Sequence, residues 1–183
     1  KDYNLDQVNK IQVVKQADVV MLLYLLEHKF SKEVKKANYD YYEKRTLHDS
    51  SLSLSTHSIL ASDIDEKDLA YKLFQEATKI DLGENMKTSD HGIHAASLGG
   101  LWQIVVNGFG GVRMVGGNLR INPKLPENWS RLSFSFMWKG NKLDIELTKE
   151  GIKIEVKDEM LEEIEILVYD KKYVLNQILK IKF

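Results

Sequence analysis

The hydrophobic pattern changes period once along the chain, and that change limits what the chain can fold into. Up to about Gly111 apolar residues recur at helical spacing, whereas from Val112 onward they alternate with polar ones. Leu132, Phe134, Phe136 and Trp138 alternate with Arg131, Ser133, Ser135 and Met137. Leu143, Ile145 and Leu147 alternate with Asp144, Glu146 and Thr148, and Ile152, Ile154 and Val156 with Lys153, Glu155 and Lys157. Gly140-Asn141 and Gly151 supply turns, and further strands are expected near Asn118 to Asn122, Glu163 to Tyr169 and Lys172 to Leu175. One polar face per strand predicts a small antiparallel β-sandwich packed on one side. Two domains follow, 1–111 helical and 112–183 β, an α+β multidomain chain.

Five helices are predicted before Gly111. The first, about Ile11 to Lys29, is apolar nearly all round through Val13, Val14, Ala17, Val19, Val20, Met21, Leu22, Leu23, Leu25 and Leu26. The second, about Ser31 to Lys44, is rich in Lys, Glu and Tyr; its basic run Lys32 to Lys36 reads as a solvated face. The third, about Ser51 to Ser62, is small and apolar. The fourth, about Glu66 to Ile80, sets Leu69, Leu73, Phe74 and Ala77 against Lys67, Asp68, Lys72 and Glu76. The fifth, about Ile93 to Phe109, again lacks a charged face.

A helix that is apolar all round must be buried all round, while an amphipathic one faces water. Helices one, three and five are therefore inner, and two and four outer. Short connections make neighbours antiparallel, so the inner helices run parallel with their N-termini at one end. This is the pattern of a partial (α/α)6 barrel with inner and outer helices. The ring is not closed by the hairpins present, which predicts a helical part cut from a larger barrel.

Polar residues on the inner helices then need an explanation. They fall in three clusters, each at or before a helix start: Lys15, Gln16 and Asp18; His48-Asp49-Ser50-Ser51; and Ser89-Asp90-His91-Gly92-Ile93-His94. Helix N-termini present unpaired N–H groups and a positive dipole end, which favour anions. Three such ends with Lys15, hydroxyls and imidazoles would cradle phosphate or another oxyanion. Simpler roles compete: Asp49 and Asp90 as N-caps, Ser50 and Ser51 as first-turn residues, Lys15 reaching solvent along its stem. The spacing of His48, His91 and His94 matches no strong zinc pattern. His28 and His57 read as structural, and Tyr39, Tyr41 and Tyr42 as packing.

Composition removes several function classes. A formal net charge of −1 lacks the clustered basic excess of a nucleic-acid binder. With no cysteine there is no disulfide, thiolate nucleophile or Cys-type zinc site, which fits a cytoplasmic protein. The chain opens on Lys1 without a signal peptide, and its longest apolar run, Val19 to Leu26, is short of the roughly 20 residues that span a bilayer. No membrane partner is expected.

Three ordered stretches carry a family resemblance. They are Val14-Lys15-Gln16-Ala17-Asp18-Val19; Tyr41-Tyr42-Glu43 through Thr46-Leu47-His48-Asp49-Ser50-Ser51-Leu52-Ser53; and Gly92-Ile93-His94-Ala95-Ala96-Ser97-Leu98-Gly99-Gly100. With them the chain resembles glycoside hydrolase family 65, the maltose, trehalose and kojibiose phosphorylases. Asn122-Pro123-Lys124-Leu125-Pro126 with Trp129 looks like the entry to that family's C-terminal β domain.

The resemblance implies inverting phosphorolysis of an α-glucosyl disaccharide to β-glucose 1-phosphate and a sugar, with phosphate in place of the activated water. By motif match Lys15 and Gln16 should hold the glucosyl unit, and Ser50, Ser51 and His94 phosphate. No catalytic residue is assigned in this chain, because the family's general-acid glutamate precedes the matching region; alone, the chain should be inactive. His91 stands where the motif asks for no histidine and has no assigned role. The resemblance implies no cofactor beyond inorganic phosphate as co-substrate, carbohydrate as the other ligand, and a homodimer of the full-length protein. Two other readings stay open: a hydrolase of the same family, with Asp49 as the tempting base, and a noncatalytic binding or structural fragment.

Overall fold

A computed structural model describes residues 4–8, 10–48, 50–83, 92–158, 160 and 163–183. It divides into two compact units, Lys1–Ile104 and Val105–Phe183. The first contains α1 (Leu5–Val8), α2 (Asp18–Leu25), a 3-10 turn at Glu27–Lys29, α3 (Lys32–Glu43), α4 (Ser53–Asp63), α5 (Lys67–Leu82) and α6 (Ala95–Gln103). None of the described helices is long and apolar enough to cross a membrane.

Helix α4 is the centre of this unit. Every residue from Ser53 to Ser62 is buried, which the small side chains of Ser53, Ser55, Ser58, Ala61 and Ser62 permit. It packs against α2, α3, α5 and α6. The outer helices bury one stripe each: Lys35 and Tyr39 on α3, and Ala70, Leu73, Ala77 and Ile80 on α5. The unit is a partial helical barrel with inner and outer members.

Three expectations need correction. The first long helix begins at Asp18 rather than Ile11, because Val14 forms a parallel bridge with Thr46. The Val14 N–H donates to Arg45 O at 2.9 Å and the Leu47 N–H to Val14 O at 3.1 Å, so this backbone is committed to an extended pairing. Lys15 and Gln16 consequently precede the helix instead of lying in its first turn. The same helix is not buried all round: Val20 and Leu23 are buried, whereas Leu25 is 62% exposed and Met21, Leu22 and Leu26 are also exposed. Finally, Lys35 does not belong to a solvated face; it is buried and faces Glu27 at 3.9 Å.

A π-helical turn, Ile104–Phe109, begins at the last residue of the first unit, and the second unit continues in strands β1 (Val112–Val115), β2 (Asn118–Ile121), β3 (Arg131–Trp138), β4 (Asn141–Thr148), β5 (Gly151–Val156), β6 (Ile164–Val168), β7 (Lys171–Leu175) and β8 (Ile178–Lys182). One sheet has the order β1-β2-β6-β7 and the other β3-β4-β5-β8. All pairs are antiparallel except β2 with β6, which is parallel. That exception follows from connectivity: the chain leaves β2, builds β3 to β5 in the other sheet and returns, and only a long crossover allows parallel neighbours.

The inward faces are those of the period-two pattern. Leu143, Ile145, Leu147, Ile152, Ile154 and Val156 are buried from one sheet, and Leu119, Ile121, Ile164, Ile166, Val168 and Leu175 from the other. The β3–β4 turn uses Lys139 at φ 47° and Gly140 at φ 78°, a primed turn matching strand twist. Gly111 has φ 65°, and a Cβ there would lie 1.8 Å from Asn122 O, so only glycine fits where the helical part gives way to the sheet.

Candidate functional site

The N-termini of α2, α4 and α6 lie at one end of the helical unit, and hydrogen bonds show why. The Val14–Thr46 bridge ties the segment entering α2 to the segment entering α4. Helices α4 and α5 form an antiparallel hairpin, closed by Glu66 N–H donating to Ala61 O at 2.9 Å and Ser58 Oγ to Ala70 O at 2.8 Å. The far end of α5 therefore returns to the level where α4 starts, and there Asp81 meets His94, the residue before α6. Gly100 lets α6 approach α4 closely, since a Cβ at that position would lie 2.7 Å from Ser55 Oγ.

These inner N-termini carry no side-chain cap. Ala17, Leu52 and His94 occupy the cap positions without a capping bond, as does Glu66 on outer α5, whereas on outer α3 Ser31 Oγ accepts from Val34 N–H at 3.4 Å. The capping roles considered for Asp49 and Asp90, and His91 itself, fall outside the described residues.

Lys15 and Gln16 are exposed and lie between the bridge and α2. Gln16 also lines a cavity of about 90 Å³ bounded by Val14, Ala17, Asp18, Tyr42 and Thr46. Ser50 and Ser51 are half-buried between the bridge and α4. Ser50 Oγ accepts from Leu52 N–H at 3.3 Å. No hydrogen bond or ion pair joins Lys15, Gln16, Ser50, Ser51 and His94 to one another. What they share is a set of adjacent helix starts.

The loop before α4 is organised by His48, the first residue of the second polar cluster, whose ring turns inward rather than toward a ligand. His48 has φ 51°, and its Nδ1 lies 3.1 Å from Ser53 Oγ. Ser53 Oγ itself donates to Ser50 O at 3.3 Å, so the ring must supply the proton at Nδ1. The His48 ring meets the His57 ring edge-on at 4.6 Å, and His57 meets Tyr39 at 5.8 Å. His57 is fully buried with Nδ1 2.9 Å from Ser53 O, and burial pushes its pKa down to about 4. Burial also lowers the pKa of His48, against an upward pull from Glu43, and raises that of Tyr39. This aromatic pillar is neutral near pH 7 and holds the Ser50 loop from beneath.

Asp81 is a residue that patterning missed. Its Oδ1 accepts from His94 Nδ1 at 2.7 Å and from the His94 backbone N–H at 3.1 Å. The imidazole bond holds the Asp81 carboxyl below its ordinary pKa. A sequence signal existed: a carboxylate in the last turn of α5 stands at the negative end of the helix dipole, where it is disfavoured.

A larger groove of about 360 Å³ lies on the sheet of the second unit, lined in part by Ser135, Asp144, Glu146, Lys153, Glu155 and Lys157. Its ionic groups answer one another, with Lys153 to Glu155 at 2.8 Å and Lys157 to Asp144 at 3.4 Å. Size does not make it the better site. Among the described residues no group of three His, Cys, Asp or Glu could hold a metal ion.

Comparison with known proteins identifies the family of both parts of the chain. The model of the glycosyl hydrolase family 65 central catalytic domain matches residues 1–103, and that of the family's C-terminal domain residues 112–175. A kojibiose phosphorylase of Halothermothrix orenii is 47% identical over 96% of the chain, which spans 23% of that relative. An alpha,alpha-trehalose phosphorylase of Thermoanaerobacter brockii is 44% identical over 93% of the chain and 22% of its own length. A solved structure, assigned to a kojibiose phosphorylase from the human microbiome, superposes with a TM-score of 0.91 at 36% identity, covering 99% of this chain and 26% of the other. The chain thus spans about a quarter of the length of these relatives. From the helical match and the β match that follows it, the chain belongs to glycosyl hydrolase family 65.

Proposed function

We propose that this chain is the C-terminal part of an inverting α-glucosyl disaccharide phosphorylase. The observation that carries the reading is the common end of three uncapped inner helices, with Lys15, Gln16, Ser50, Ser51 and His94 at their starts. The positive dipole ends of these helices suit a phosphate, and the relatives named above are phosphorylases.

In this mechanism phosphate attacks the anomeric carbon of the glucosyl unit while a glutamic acid protonates the leaving oxygen from the opposite face. Phosphate is already an anion at neutral pH, so the site need not create a nucleophile. It must offset charge repulsion and hold the attacking oxygen in line. Ser50 and Ser51 supply hydroxyl donors, His94 an imidazole, and Lys15 a cation that with Gln16 engages the glucosyl hydroxyls. The general-acid glutamate is assigned to a part of the longer protein outside these residues. Inorganic phosphate is the co-substrate, no other cofactor is assigned, and the longer protein is taken to work in the cytoplasm as a homodimer.

The test is a product assay of the intact protein on several glucose disaccharides, with and without phosphate. Phosphate-dependent release of β-glucose 1-phosphate is expected. Glucose released at the same rate without phosphate would replace this reading by hydrolysis.

A further inference from the structure

We propose that Asp81 is a positioning residue that locks the His94 ring with Nδ1–H on its carboxylate, presenting Nε2 as the ring's only free nitrogen to the phosphate. This rests on the phosphate reading above and adds to it the residue that sets tautomer and orientation. One oxygen, Oδ1, receives both the His94 ring at 2.7 Å and the His94 backbone N–H at 3.1 Å. Two bonds from one residue to one atom fix ring rotation as well as proton placement. The backbone bond occupies the N–H immediately before α6, so the ring and the helix start are set together.

Burial is graded in the same direction. The Asp81 side chain is 13% exposed and that of His94 36%, so the carboxylate is covered while the ring remains open to a ligand. Nδ1 and Nε2 lie on opposite edges of an imidazole, so a carboxylate on one leaves the other facing away. Phosphate near neutral pH carries a proton of its own, so Nε2 can accept from a phosphate hydroxyl or, in the protonated ring, donate to a phosphate oxygen. Asp81 stands in the last turn of α5, where the helix dipole disfavours a carboxylate, and the two bonds from His94 offset that. Histidines that ligate metals are held by carboxylates in the same manner, and loss of such a partner weakens binding by about 10- to 100-fold.

Two measurements test this. In the 183-residue chain, ¹⁵N NMR of the imidazole should show neutral His94 as the Nδ1–H tautomer, shifting toward Nε2–H in Asp81→Asn. Wild-type His94 already in the Nε2–H form would overturn the proposal. In the intact protein, Asp81→Asn should raise the KM for phosphate on the order of tenfold and leave the disaccharide KM within about twofold. Asp81→Glu, which keeps the carboxylate, should recover most of the phosphate KM and supplies the comparison if the asparagine variant does not fold. Equal rises in both constants would defeat the positioning role alone. A wild-type protein indifferent to phosphate, with the tautomer as expected, would defeat the phosphate reading instead.

Discussion

The two units solve burial differently. The β unit covers both inner sheet faces with each other, and Leu143, Leu147, Ile154, Ile166 and Leu175 are wholly inaccessible. The helical unit buries α4 completely but leaves apolar residues of its other inner helices in water, with Leu25 62% and Trp102 51% exposed. Fully apolar helices are stable only when covered all round. The lesson is that one unit carries its whole core, whereas the other is shaped to pack against more of its own kind. The polar residues of interest sit on the second sort of unit, where uncapped helix ends gather.

The largest expected effect concerns what the helical unit does. Within the intact protein, Ser50→Ala combined with Ser51→Ala should raise the KM for phosphate by about 100-fold or more, since bonds to a charged acceptor contribute about 1.5–3 kcal/mol each. The disaccharide KM should move little, and steady-state kinetics in both substrates would show the split. A phosphate dependence left unchanged would dissolve the functional side of the contrast.

Next comes stability. Ile154→Ala removes a fully buried side chain from β5 and should destabilise the β unit by about 3 kcal/mol, whereas Leu25→Ala on α2 should cost under about 1 kcal/mol. Chemical denaturation of the two variants would test this. Similar losses at both positions would mean that exposure does not distinguish the units.

Acid should act on the helical unit through His57. Its folded pKa of about 4 lies below the value of about 6.5 for the unfolded residue, so the unfolded state takes up the proton first. This contribution is whole above about pH 6.5 and lost as pH falls toward 4, on the order of 3 kcal/mol in all. His57→Gln should flatten that part of the curve of stability against pH, followed by helical circular dichroism. An unchanged slope would show that the buried imidazole does not govern acid sensitivity. Smallest is the cap: Ser31→Ala on α3 should cost about 0.5 kcal/mol, consistent with a long 3.4 Å bond, and is measured by the thermal midpoint.

Legibility in the sequence follows the same divide. Period-two alternation is a local property of a strand, so β3, β4 and β5 could be read from Leu132 to Val156 with the correct inward residues. Strand β8 escaped notice because Ile178 to Lys182 follows its turn without a glycine or proline signal. Helix α2 is shorter than its apolar spacing, which continues through Val13 and Val14, because the Val14 backbone goes to a strand-like bridge with residues some thirty positions away. The clusters before α2, α4 and α6 were visible as polar interruptions of apolar helices. Their supporting contacts were not: Asp81 is one carboxylate among many on an amphipathic helix, and His48, though visible in its cluster, depends on Ser53, His57 and Tyr39 for its setting.

By itself the sequence determined the change from helical to strand periodicity, the sorting of helices into apolar and amphipathic, and the motifs that mark the family, because each is written in neighbouring side chains. Only the tertiary structure decided where α2 begins, that β2 and β6 run parallel, and that Asp81 grips His94. Those depend on backbone and side-chain groups far apart in the chain finding one another, and hydrogen-bond partners at such distances leave no period in the sequence.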